Sequence, residues 1–466
     1  MKQPNILFII SDEHSPNTIG CYGADYAITP NLDRLAAGGT LFENAYCNHA
    51  ICVPSRNTLM SGLQSHHIGA YDNGAPLASD LPTWAHMLSR AGYRAVLDGK
   101  MHFLGPDQLH GFQDHWNEEP AQVAGFRWGE ENGNATGYRY FTTVHALGDP
   151  SEHRNWEREE QIRADAIDFL QQQDDASPFC LTVGFNHPHY PMVCSKKALA
   201  LYDDVEIPDP VGSEGLNPWH RHWGEPIWGF HKMTGDEVAA SRKAYLAMVT
   251  MLDGWVGEIL DTLQARGLAE NTVVVYTTDH GDMWGEHGLW AKSVFYEDSA
   301  HVPLIIAGEG LGLRAGQRVT TPVSLLDLYP TFRDLAGITD WDVPLDGRSL
   351  VPALRGEPLP DAPVFCEYYG CDIKGPQRMV RYGEYKLCYY HRQGIELFHL
   401  PTDPKETRNL AADPAHQEAL GDLLRMLMEG WDPERIAAEV RVSQNRRTLL
   451  GEGLKAVMGK DYRAAL

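Results

Sequence analysis

Four short apolar runs, rich in branched side chains, each break off abruptly at a knot of polar residues, and this repetition limits the folds open to the chain. Ile6–Ile10 ends at Ser11-Asp12-Glu13, and Tyr93–Leu97 ends at Asp98-Gly99-Lys100-Met101-His102. Phe179–Phe185 ends at Asn186-His187-Pro188-His189, and Thr272–Thr278 runs into Asp279-His280-Gly281-Asp282. Continuous apolar runs of this length read as strands buried on both faces, and helical patterns such as Trp156–Gln173 and Asp236–Arg266 lie between them. The alternation predicts an α/β fold in which a large mixed, mostly parallel sheet is sandwiched by helices. Sites in such sheets form beyond the carboxyl ends of the strands, where these polar knots fall.

Beyond about residue 360 the pattern changes to shorter strands, Pro363–Tyr369, Arg378–Tyr390 and Ile395–Leu400, with turns at Gly383-Glu384 and Gln393-Gly394. A helix is expected from about Ala415 to Trp431. The expected division is therefore a catalytic α/β domain over 1–360, a smaller antiparallel sheet plus helix over 361–435, and a polar arm over 436–466. The arm and the 12 tryptophans point to a homo-oligomer.

A net charge of −24 repels nucleic acid and anionic membranes, so neither is expected as a partner, and an anionic substrate would need a local positive pocket. The run Ile6–Ile10 is too short for a signal-peptide core, and no stretch approaches the ~18 apolar residues of a membrane span. The 8 cysteines include no Cys-x-x-Cys, which argues against a disulfide framework or a zinc site and for a reducing, cytoplasmic setting.

A lone cysteine is most often simply buried. Cys52-Val53-Pro54-Ser55-Arg56, however, matches the Cys-x-Pro-Ser-Arg signature, and over roughly residues 4–410 the chain resembles the type I, formylglycine-dependent sulfatases of the alkaline phosphatase superfamily. Supporting segments are Asn5–Asp12, Thr29-Pro30-Asn31-Leu32-Asp33-Arg34-Leu35, Thr277–Asp282, and Glu396–Leu400 with Asp403-Pro404 and Asn409-Leu410. The resemblance implies an alkaline phosphatase-like fold and conversion of Cys52 to formylglycine by a formylglycine-generating enzyme. It also implies one divalent metal, Ca²⁺ first and Mn²⁺ or Zn²⁺ if histidine ligates, held by Asp12, Glu13, Cys52, Asp279 and His280. Glu13 departs from the Asp-Asp and Asp-Gln pairs of relatives.

The resemblance also assigns roles. The hydrated formylglycine attacks sulfur in line with the leaving oxygen, and its second hydroxyl lets the resulting sulfate ester collapse, which serine could not do. Arg56 orients the nucleophile, and the helix beginning near Pro54 turns its N-terminus to the anion. Lys100 and His102 flank the diol, with His102 the base; His189 and Lys292 contact the leaving oxygen, with His189 the general acid. Asn73, in Tyr71-Asp72-Asn73-Gly74, bonds a sulfate oxygen. His187 reads as a structural histidine.

The expected activity is sulfuric ester hydrolysis of small anionic aryl or alkyl sulfates. Gly281–Trp290 and Asp98–Phe112 resemble choline sulfatases, whereas Glu367–Pro376 lacks their acidic pattern. Three alternatives stand beside it: a choline sulfatase, a phosphonate monoester or phosphodiester hydrolase, and a non-catalytic anion-binding protein. The Lys100-x-His102 pair favours sulfate over phosphonate, because two cationic donors suit a compact, dianion-like transition state.

Overall fold

The structure, a computed structural model, describes residues 3–117, 137–174, 177–370 and 373–458. Its first strands are β1 Asn5–Asp12, β2 Gly39–Tyr46, β3 Arg94–Gly99, β4 Asp114–Trp116, β5 Val144–Leu147, β6 Phe179–Pro188 and β7 Met192–Ser195. They are followed by β8 Thr272–Thr278, β9 His301–Ala307, β10 Gln317–Val319, β11 Val323–Ser324, β12 Val364–Tyr368, β13 Gln377–Tyr382, β14 Tyr385–Tyr390 and β15 Gly394–His399.

Nine of them form one sheet in the order β10-β2-β9-β8-β1-β6-β3-β4, with β11 beside β2. β1 lies parallel to both β6 and β8, and β3 parallel to β6 and β4. Only β9 runs against its neighbours β8 and β2, so the sheet is mixed but mostly parallel, as the sequence predicts. Every residue of β1 is buried, and its alternation serves two cores. Ile6, Phe8 and Ile10 pack on one face and Leu7 and Ile9 on the other, while β8 divides Val273 and Val275 from Val274 and Tyr276 in the same way. That two-sided burial makes the apolar runs continuous rather than alternating.

The long helix Gly235–Ala265 covers one face. It starts at a capping box, in which the Thr234 hydroxyl accepts from the Glu237 amide and the Glu237 carboxylate accepts from the Thr234 amide. Strands β12 to β15 form a separate antiparallel meander. The expected helix over 415–431 is shorter, Gln417–Met428, and a second helix, Pro433–Met458, follows it.

The described part of the expected arm is thus helical, and Ile436 and Val440 bury in the core of the small sheet with Leu387, Leu423 and Trp431. Its polar average hid a stripe of inward-facing positions spaced at helical intervals. Residues 459–466 of that arm lie outside the described residues. No helix among the described residues is long and apolar enough to cross a membrane.

Candidate active site

The tips of β1, β3, β6 and β8 converge on the N-terminus of the helix Cys52–Ser61, all ten residues of which are buried. Cys52 is its first residue, and the following amide, Val53 N, donates to Asn73 Oδ1 at 3.0 Å. That bond satisfies one of the orphan donors of the helix start. Asn73 therefore holds the helix that begins at Cys52 as well as lining the cavity above it.

Arg56, one turn on and 0 % exposed, stitches the strand tips together. Its Nε donates to Asp279 Oδ2 (2.7 Å), Nη1 to the Lys100 carbonyl (2.7 Å), and Nη2 to the Ser11 carbonyl (3.1 Å) and Asp12 Oδ2 (3.3 Å). A guanidinium is tolerated at such depth only with its donors met in this way. Ahead of Lys100 the strands close tightly, because a side chain on Gly99 or Gly184 would collide with the facing backbone.

Cys52 Sγ lies 3.2 Å from His280 Nε2 and 3.9 Å from Asp12 Oδ1. His280 Nδ1 sits 3.0 Å from the Gly281 carbonyl, so Nδ1 carries the proton and Nε2 presents a lone pair to the site. Donor atoms of Asp12, Cys52, Asp279 and His280 all lie within 4.8 Å of one another. Two buried carboxylates beside an imidazole lone pair are a donor set that fits one divalent cation. Glu13 stands differently: its Oε2 takes Lys292 Nζ at 2.6 Å and His189 Nε2 at 3.1 Å, and it groups with Asp12 and His189.

Toward solvent the cations line up. Lys100 Nζ is 2.5 Å from Asp12 Oδ2 and donates to Asn186 Oδ1 at 2.9 Å. Lys292 Nζ donates to His189 Nε2 at 2.8 Å, and His189 Nδ1 donates to the Tyr190 carbonyl at 2.6 Å, so the resting His189 is neutral. His102 lines the same cavity, its Nδ1 without a partner among the described residues. Glu13, His102, Ala291 and Ser293 all hold left-handed backbone (φ 65°, 61°, 61° and 79°), a concentration of strain around the site.

Charge pairing decides the protonation states. Burial alone would raise the Asp12 carboxyl, but the cations beside it, Lys100 before Arg56, outweigh it and hold it well below the ordinary range. Burial raises Glu13 well above its ordinary value, Lys292 opposing incompletely. Burial and then Lys100 lower His102, and burial and then Lys292 lower His189. Burial, reinforced by Asp12, pushes the Cys52 thiol up to about 12, so among the protein groups alone position 52 is a protonated, poorly nucleophilic thiol.

All the sequence-predicted site residues thus gather around one cavity and its floor. His187 does not: it turns to the Val193 carbonyl and Trp255 on another side of β6. The sequence reading missed the cavity's walls. The cavity, about 400 Å³, is lined above Cys52 by Tyr190, Trp223, Trp228 and Tyr368. Asn186, the Lys100 acceptor, stood in the strand-tip knot and could have been found there; the four aromatics come from scattered segments, Tyr368 from the end of β12 and Trp223 from a π-helical turn, whose approach no local pattern announces.

A buried cysteine on a helix N-terminus, carboxylates beneath it and ammonium groups around the mouth are the site of a hydrolase of anionic esters on the alkaline phosphatase plan. The Sulfatase family model matches residues 4–338, and a second model, N-sulphoglucosamine sulphohydrolase, C-terminal, matches residues 285–431. The chain belongs to the sulfatase family, and the enzyme is a sulfatase.

It is 38% identical over 477 residues to a choline-sulfatase of Rhizobium meliloti (97% of this chain, 92% of that one). It is 29% identical to arylsulfatase K of Rattus norvegicus (88% and 75%). The fold is shared with the phosphonate monoester hydrolase of Agrobacterium radiobacter, at a TM-score of 0.75 and 22% identity over 95% of this chain and 96% of that one. It is shared too with a structure solved in complex with its substrate, D-glucosamine-2-N,6-O-disulfate (TM-score 0.73, 24% identity, 92% and 97%).

Proposed function

We propose that this sulfatase hydrolyses small alkyl or aryl sulfate monoesters with residue 52 as nucleophile, after oxidation of Cys52 to formylglycine by a formylglycine-generating enzyme. The observation that carries the reading is the position of Cys52, between a buried carboxylate–imidazole set and the ammonium groups of Lys100 and Lys292. Formylglycine would supply a diol, and Asp12 and Asp279, with His280 beside them, would hold a divalent cation whose chemistry is to lower the pKa of a bound hydroxyl. Calcium fits a shell made by the two carboxylates and the diol oxygen, whereas direct ligation by His280 would favour manganese or zinc. Glu13, committed to Lys292, positions that ammonium group rather than making a ligand bond.

The protein groups do the rest. Arg56 fixes Asp12 and Asp279 in register with the helix that carries residue 52. Lys100, Lys292 and Asn73 receive the sulfate oxygens, where developing charge is greatest. His102, neutral and facing residue 52, takes the proton whose loss releases sulfate. The Lys292–His189 pair faces the leaving oxygen: the Lys292 ammonium stabilises the charge that develops there, and His189 in its protonated form is the general acid.

A narrower reading, choline sulfate as substrate, is favoured by the aromatic wall, since Tyr190, Trp223, Trp228 and Tyr368 offer ring faces to a quaternary ammonium. The choline-sulfatase relative supports it. We further take the enzyme to be cytoplasmic and homo-oligomeric; the free thiols of all seven described cysteines support the former.

The test is turnover of choline sulfate and 4-nitrophenyl sulfate against phenyl phosphonate esters, with mass spectrometry of the residue-52 peptide. Sulfate esters should be preferred and the peptide should show sulfur replaced by oxygen. Preference for phosphonates by orders of magnitude, or an unmodified thiol in active enzyme, would overturn the reading. Elemental analysis should return one calcium per chain.

A further inference from the structure

Near the end of the chain, the helix Pro433–Met458 buries Ile436, Val440, Gln444 and Arg447 along one face. Arg447 is the charged member of that stripe, and it is not idle. Its Nη1 donates to Asp72 Oδ1 at 2.6 Å and its Nη2 to Asp72 Oδ2 at 2.7 Å, a bidentate pair with side chains 5% and 2% exposed. Asp72 Oδ1 also accepts from Gly74 N (2.9 Å), and its carbonyl accepts from Ala75 N (3.0 Å), which fixes the turn that presents Asn73. Asn73 in turn accepts from Val53 N, next to the nucleophile position.

We propose that Arg447 is a positioning residue for the sulfatase reaction, acting through Asp72 and Asn73 on the start of the helix that carries residue 52. The inference rests on the reading of residue 52 as nucleophile. A fork-to-fork guanidinium–carboxylate pair fixes both distance and plane, so it holds the turn in one orientation. Without it, the buried Asp72 carboxylate has lost its charged partner and the turn must shift toward solvent. Asn73 would then move off the Val53 amide, and residue 52 would lose its aim while the cavity walls that bind the leaving group stay in place. Arg447 itself touches neither the cavity nor the reacting atoms; it lies at an outer groove between the helix and residues 68–78.

The test is a kinetic cycle on the full-length enzyme with Arg447→Ala, Asn73→Ala and the double variant, and Arg447→Lys alongside. Arg447→Ala should lower kcat about 10-fold, the usual cost of losing a group that orients a reacting one, with KM changed by less than about twofold. Arg447→Lys, which keeps the charge but not the fork, should recover part of that loss. Residues acting along one relay are not additive, so the double variant should lose little more than Asn73→Ala alone.

Losses that multiply in the double variant, or wild-type kcat in Arg447→Ala, would overturn the relay. If Arg447→Ala does not fold, Arg447→Lys combined with Asn73→Ala gives the same reading. Conversion of residue 52, followed by peptide mass in each variant, should be unchanged. Full activity of Cys52→Ala would instead sink the nucleophile reading, which separates the two failures.

Discussion

The two sides of Cys52 are built on opposite principles. On the inner side Arg56, Asp12, Asp279 and His280 are all wholly buried, and the guanidinium is met by four acceptors from three strand tips. On the outer side Lys292, Glu13 and His189 share contacts, His102 keeps an unpartnered nitrogen, and Lys100 reaches between the two groups. On the inner side the guanidinium is saturated by the protein, and the remaining carboxylate and imidazole donors lie within 4.8 Å of one another, as a single cation requires. The outer side leaves donors in hand at the cavity, as a surface that must accept an anion requires. Damage to the first should cost both fold and chemistry; damage to the second should cost chemistry alone.

Cys52→Ala should remove both sides' common target. Turnover should fall on the order of 10⁶-fold with an unchanged thermal transition, as nucleophile removal does elsewhere. Asp279→Ala strikes the inner side. Activity should fall on the order of 10³-fold, the bound metal should be lost, and stability should drop by about 3 kcal/mol because the buried Arg56 loses the nearer of its two carboxylate partners. Native-like stability in that variant would erase the contrast drawn here.

On the outer side His189→Ala should cost roughly 10²-fold with choline sulfate, less with 4-nitrophenyl sulfate whose leaving group needs no proton, and should leave the melting temperature in place. At the rim Trp228→Ala should raise KM for choline sulfate roughly 10-fold with little change in kcat.

Acid separates the sides by order of failure. His102 is lowered in the folded state, so the unfolded chain takes up the proton first, and stability declines as pH falls below the unfolded value of about 6.5. Asp12 is also lowered, but for a carboxyl this adds stability that is present above about 3.8 and lost only below it. The outer side should therefore weaken first. His102→Asn should flatten the pH dependence of thermal stability below about 6.5, by at most about 1.4 kcal/mol per pH unit.

The inner side was legible in the sequence because each of its members sits at a fixed place in a local pattern. Asp12 and Asp279 end buried strands, and Arg56 follows Cys52 by one helical turn. The fold was legible for the same reason, since runs apolar on both faces admit few arrangements. What escaped was set by tertiary approach. Trp223 and Trp228 reach the cavity from a segment whose tryptophans look like any core aromatics. Arg447 meets Asp72 across 375 positions, on a helix whose polar average concealed its buried stripe. Glu13 was placed in the right neighbourhood, but which partner it takes depends on Lys292 arriving from another loop.

Burial of every residue from Cys52 to Ser61 imposes a timetable. For a chain matured by oxidation at position 52, the modifying enzyme must grip the segment while it is extended, and the native helix gives it nothing to grip. For such a chain oxidation would precede folding, each molecule would have a single opportunity, and the active fraction of a preparation would measure how the speed of collapse compared with the speed of modification.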